Sequence, residues 1–126
     1  MKKRISLFMI IFMAAVCFSL SGVFATSYSK TKTANVSYGT QCSAKITDRA
    51  TVNSSSLSWS FSVSSSTISA KNGYSFAKPY TSSIEYTNGK KTATHKIGYY
   101  FYNSSGNNVG GNIKTFTFTY NGNGVS

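Results

Sequence analysis

Apolar and polar side chains alternate along most of this chain. Leu57-Ser58-Trp59-Ser60-Phe61-Ser62-Val63 sets four apolar side chains on one side and serines on the other. Phe116-Thr117-Phe118-Thr119-Tyr120 repeats the pattern with threonine, and Ala34–Tyr38 and Cys42–Ile46 carry weaker versions. Successive strand side chains point to opposite faces, so a period of two marks strands with one buried and one wet face. The spacing predicts about eight short strands, near 33–38, 42–48, 57–63, 66–71, 74–77, 82–87, 90–102 and 112–120. Seven or eight such segments with turn signals between them predict an all-β fold. The expected architecture is a single antiparallel β-sandwich, Ig-like or jelly-roll-like.

Two Asn-Gly pairs mark turns, because both residues accept positive φ. A two-residue loop at Asn88-Gly89 would pair Ile84 with Ala93 and Tyr80 with Ile97, keeping apolar residues on one face. A three-residue loop, Lys71-Asn72-Gly73, would align Ile68 with Phe76 and Ala70 with Tyr74, with Gly73 at the left-handed position. Pro79 cannot donate to a ladder and belongs in a connection or on an edge. Ser54-Ser55-Ser56 reads as a turn, Ser104 to Asn112 as a glycine-rich loop, and Asn121 to Ser126 as a frayed tail.

The first 25 residues depart from this pattern. Lys2, Lys3 and Arg4 precede an apolar run from Ile5 to Leu20, and Val23 and Ala25 supply small residues at the −3 and −1 positions. This is the order of a helical, cleavable secretory signal peptide, predicted over residues 1–25 with cleavage after Ala25. A membrane anchor is the competing reading, but the run is near the lower limit of the roughly 20 apolar residues a spanning helix needs. A lipoprotein signal at Cys17 is disfavoured by the bulk of Val16. Residues 26–126 then form one domain, of a size that buries a single core.

Export changes the chemistry of what remains. Of the 13 basic residues, ten fall after residue 25, against only Asp48 and Glu85, a formal surplus of eight positive charges. Such a field concentrates polyanions. It also keeps a protein soluble. Outside the cell the available polyanions are acidic wall polymers, anionic lipid headgroups, polysaccharides and released nucleic acid. Cys42 is the one cysteine left after cleavage, so no internal disulfide is expected, and a small buried apolar role is its default.

Groups with tunable pKa are scarce. A Cys42–His95 nucleophilic pair and an Asp48–Glu85 glycosidase pair can be drawn, but no spacing supports either. His95 shares the parity of Ala93, Ile97, Tyr99 and Phe101, at the margin of the expected core. One His, one Cys and two isolated carboxylates match no zinc or calcium spacing, and no phosphate-cradling glycine motif follows a strand. No cofactor, metal or catalytic residue is therefore expected.

A binding surface is better supported. On the strand from Lys90 to Tyr102 the face away from the core carries Thr94, Lys96, Gly98, Tyr100 and Tyr102. Tyr100 and Tyr102, with Lys96 beside them and Lys90 and Lys91 at the hairpin, are the candidate binding residues. Their rings would stack on sugar rings or on bases while the cations meet phosphate or carboxylate. A second pattern, the alternation from Ser54 to Ala70, also resembles the writing of membrane-spanning β-hairpins, although Leu57–Val63 is too short to span. The expectation is a small secreted cationic protein, not an enzyme, that binds an anionic cell-wall polymer, glycan or anionic membrane surface, with no specific nucleic acid. The alternatives are a bacteriocin-like or pore-forming antimicrobial protein, and a surface-matrix subunit joined by strand edges or by Cys42. The oligomeric state is left open.

Overall fold

A computed structural model describes residues 25–126. The predicted signal segment up to residue 24 lies outside the described residues. Among the described residues there is no helix and there are seven strands: β1 (Ser27–Tyr38), β2 (Cys42–Asn53), β3 (Trp59–Ala70), β4 (Ser75–Phe76), β5 (Tyr80–Thr87), β6 (Thr92–Tyr102) and β7 (Asn108–Thr119). They form two antiparallel sheets. The first runs β1-β2-β3. In the second, β6 is central, with β7 along one side and β4 followed by β5 along the other. Apart from the short β4, which pairs with β6, strand neighbours are consecutive in the chain, whereas Ig-like and jelly-roll-like orders weave strands between sheets.

The central strands β2 and β6 carry the core because each has a neighbour on both sides. Alternation along β2 buries Cys42, Ala44, Ile46, Asp48, Ala50 and Val52. The second sheet answers with Ala93, His95, Ile97, Phe101, Phe116 and Phe118. Small side chains on β2 leave room for phenylalanine rings at the normal sheet separation of about 10 Å. Each phenylalanine so buried stabilises the fold by roughly 1.5–3 kcal/mol relative to exposure. Trp59, Phe61 and Val63 on the outer strand β3 are only half-buried against this core.

Several boundaries differ from those the sequence predicts, each for a local reason. The segments 57–63 and 66–71 are one strand, since Ser64, Ser65 and Ser66 pair with Thr47, Ile46 and Lys45. The β5–β6 loop takes four residues. Asn88, Gly89 and Lys90 all have positive φ, and the Lys91 N–H donates to the Asn88 carbonyl. Ala93 consequently pairs with Tyr86 and Ile84 with His95, a shift of two that preserves the faces. A bulge between Thr81 and Ser83 then reverses them, so Tyr80 pairs with Gly98 on the outer face instead of with Ile97 on the inner one.

The second Asn-Gly pair does not close a hairpin. Asn72 and Gly73 have positive φ and the Tyr74 N–H donates to the Lys71 carbonyl, but β4 pairs with β6 in the other sheet. The turn is a corner between sheets. Pro79 lies, as expected, in the connection between β4 and β5. Ser54–Ser56 forms a turn in which Asn53 Oδ1 accepts from the Ser55 and Ser56 N–H groups. β7 begins at Asn108, inside the predicted loop. The last residues are not frayed: Thr119 and Ser126 exchange backbone hydrogen bonds and Tyr120 bridges Val125.

Gly73 is held at φ +76°, and a Cβ there would sit 2.7 Å from the Ser104 Cβ. Gly73→Ala combines left-handed strain with a contact that a real Cβ does not make. It should lower stability by about 1–3 kcal/mol in urea unfolding. An unchanged midpoint would show that the corner adapts freely.

Candidate functional site

The five binding residues predicted from sequence lie on one hairpin but do not converge. Lys90 and Lys91 occupy the β5–β6 turn, and Tyr100 lies nine residues along from Lys91, about 30 Å at the rise of a strand. The backbones of these lysines tie the structure together. The Lys90 carbonyl accepts from Trp59 Nε1 at 2.8 Å, and the Lys91 carbonyl accepts from the Tyr120 N–H at 2.8 Å. Lys96 does face outward with Tyr100 and Tyr102, but its Nζ lies 2.8 Å from Glu85 Oε1. Its charge is thus compensated locally. Tyr102, paired with Ser75 and Asn108, is half-buried.

Tyr100 has a different partner from the one expected. Its ring stacks on Tyr80, with centroids 5.6 Å apart and planes 17° from parallel, and the two hydroxyls share a hydrogen bond of 2.9 Å. That bond, with desolvation adding to it, pushes the Tyr80 phenol above its ordinary value. Both rings cover glycine. A Cβ at Gly98 would sit 2.2 Å from Tyr80 Cζ, and one at Gly111 would sit 2.6 Å from Tyr100 Cδ1. Exposed Ile113 is the register partner of Gly98. The outcome is a compact, electrically balanced aromatic patch laid over bare backbone.

The titratable groups assemble elsewhere, between the sheets. Asp48 on β2 and His95 on β6 are fully buried, with Asp48 Oδ2 2.7 Å from His95 Nδ1. Thr81 Oγ1 on β5 lies 2.8 Å from His95 Nε2. A carboxylate only accepts, so Nδ1 is the donor to Asp48. Nε2 accepts from the threonine hydroxyl in the neutral ring, or donates to it in the charged one. Hydroxyl, imidazole and carboxylate stand in the order of an acyl-transfer relay. The ring, however, is wholly enclosed and lies against Phe61 at a centroid distance of 4.5 Å. No edge of it faces a substrate. What the arrangement does is join three strands from two sheets.

His95 is thus inside the core, not at its margin. Asp48 is its partner, and Cys42 stands six residues from Asp48 along β2, about 20 Å away. Burial pushes the Cys42 thiol above its ordinary value, which suits the packed, unreactive role expected of it. Glu85 lies on the outer face with Lys96, remote from buried Asp48. Among the described residues no three His, Cys, Asp or Glu side chains gather as a metal site.

Both carboxylates are therefore spoken for, Asp48 by His95 and Glu85 by Lys96. Among the described residues no other basic side chain has a carboxylate within 4.0 Å. No family model, curated protein or solved structure matches the chain.

Breaking a buried ion pair from one side leaves its partner unsatisfied, at a cost of about 3–5 kcal/mol, while replacing both members with apolar groups is often neutral or stabilising. Asp48 Oδ1 has no hydrogen-bond partner, which adds to the cost of keeping the pair. Asp48→Ala should accordingly destabilise by about 3 kcal/mol or more in chemical unfolding. The double variant Asp48→Leu/His95→Phe should recover most of that loss. Equal destabilisation by both would mean that the pair is not the clasp described.

Proposed function

We propose that the protein is a small secreted, non-enzymatic β-sandwich module that binds an anionic polymer or glycan of the cell envelope. The observation that carries this reading is the placement of charge. With one carboxylate sealed in the core and the other bonded to Lys96, the remaining cations project a positive field without local neutralisation. Attraction of that kind acts over a Debye length, about 30 Å at 0.01 M ionic strength and 3 Å at 1 M. A polyanion is drawn in from a distance and then held by short-range contacts. The predicted signal segment supports an address outside the cell or in its wall.

Binding should therefore depend steeply on salt. In pull-down of the purified protein on isolated wall polymer, affinity should fall more than roughly tenfold between about 0.01 M and 1 M ionic strength. Constant affinity across that range would remove the electrostatic basis of the proposal. Dye release from anionic vesicles separates the bacteriocin-like alternative, because a wall-binding module leaves the vesicles intact.

A further inference from the structure

The outer face of the β1-β2-β3 sheet has a composition that stands apart from the rest of the surface. Opposite the core, every outward residue of β1, from Ser27 to Ser37, is Ser, Thr or Asn, and on β3 Ser60, Ser62, Ser64 and Ser66 repeat one residue type. On the central strand β2 the outward set contains two exposed cations, Lys45 and Arg49, and otherwise only Ser, Thr and Asn. The face bears no acidic or aromatic side chain along these strands, and its one exposed aliphatic side chain, Ile68, lies at the bulge near the end of β3, beyond the strip flanking Lys45 and Arg49. Nothing in the packing of the core calls for such uniformity, since these residues touch solvent.

We infer that this face is the polymer-binding surface, and that its ligand is a chain of alternating phosphate and hydroxylated units, a polyol- or sugar-phosphate polymer. The inference rests on the function proposed above and assigns it a place. Lys45 and Arg49 lie four residues apart on one side of β2, about 13 Å along the strand, with Thr47 between them. Register sets Asn35 and Ser66 beside Lys45, and Thr31 and Ser62 beside Arg49. A linear chain lying along β2 meets both cations on the midline and hydroxyls or amides on either side, within a strip about 10 Å wide at ordinary strand spacing. The guanidinium of Arg49 offers two parallel donors to a phosphate, and Lys45 a compact charge. Hydroxyl and amide groups both donate and accept, which matches the hydroxyls between successive phosphates.

The same composition argues against other ligands. A bilayer surface is engaged by apolar side chains that enter the headgroup region, and single-stranded nucleic acid by aromatic rings that stack on bases. This face supplies no aromatic ring and a single exposed aliphatic side chain, Ile68, at its far end. The Tyr80–Tyr100 patch has rings, but its neighbouring Lys96 is balanced by Glu85, so it holds no free charge for phosphate.

The test is a titration of the full-length secreted protein with poly(glycerol phosphate) at about 0.01 M ionic strength, where the Debye length is about 30 Å. A Lys45→Ser/Arg49→Ser variant is compared with Lys90→Ser/Lys91→Ser, which removes the same charge at the β5–β6 turn. Circular dichroism confirms that both variants are folded. The expected result is a loss of roughly tenfold or more in affinity for the first variant and a clearly smaller loss for the second. Equal losses would overturn the assignment of the face and leave charge-driven binding standing. Failure of the unaltered protein to bind poly(glycerol phosphate), or a polycarboxylate glycan tried beside it, would overturn the proposed function as well. Binding of the glycan alone would overturn the phosphate assignment, and binding confined to phosphatidylglycerol vesicles would replace the polymer with a membrane.

Discussion

The polar line from buried Asp48 and His95 out to Thr81 constrains more of this structure than any other interaction. It is a polar bridge set among aliphatic and aromatic side chains, linking β2 of one sheet to β6 and β5 of the other. Satisfying it requires Thr81 to face inward. Without the bulge, the inward positions of β5 would run through Ile84 and Tyr86 back to Tyr80. The single extra residue in β5 turns Thr81 toward His95 and Tyr80 to the outer face, although Thr81 itself stays exposed. Tyr80 then lies across Gly98, and its hydroxyl reaches Tyr100. An irregularity that serves the core thus determines the aromatic patch on the opposite face of the same sheet.

Charge follows from the same commitment. A chain with two carboxylates has little means to neutralise itself, and one of the two is enclosed with a histidine. The other sits on the outer face of the second sheet, away from Lys45 and Arg49. One lysine beside the core, Lys32, finds other partners. Lys32 donates to the Thr117 carbonyl and lies over the Phe118 ring at 5.1 Å from its centroid, binding the edge of one sheet to the edge of the other. Lys32 is thus occupied by a carbonyl and a ring, while Lys45 and Arg49 on the outer face of the first sheet are exposed.

Parity made much of this legible. The outward set of β6, Thr94, Lys96, Gly98, Tyr100 and Tyr102, follows from alternation alone and is found as expected. The alternation of Cys42, Ala44 and Ile46 continues through Ala50 and Val52, so it also places Asp48 on the core side. What a period cannot supply is the residue opposite, and His95 meets Asp48 through a pairing of sheets that no local pattern encodes. The bulge at Ser82 is not legible in the sequence, because a serine among serines and threonines gives no signal of an extra residue. At Asn72-Gly73 the turn chemistry was legible and its destination was not, since a hairpin and a corner between sheets both need positive φ. The separation of Lys91 from Tyr100 is legible as a count of residues, since nine residues of extended chain hold the turn lysines about 30 Å from the tyrosine.

The outer strand β3 has one more property. From Trp59 to Ala70 it contains no charged residue and no proline, and its far edge is unpaired within its own sheet. Proteins usually blunt such an edge with lysine, proline or a bulge. Here the only bulge against β2 falls near its end, by Ser43 and Ala44. The guard against edge-to-edge association is then the mutual repulsion of copies carrying the same positive charge. On the function proposed above, a polyanion that neutralised neighbouring copies along its length would remove this guard where the copies are most crowded, so that occupancy of the polymer and cohesion between bound molecules would rise together.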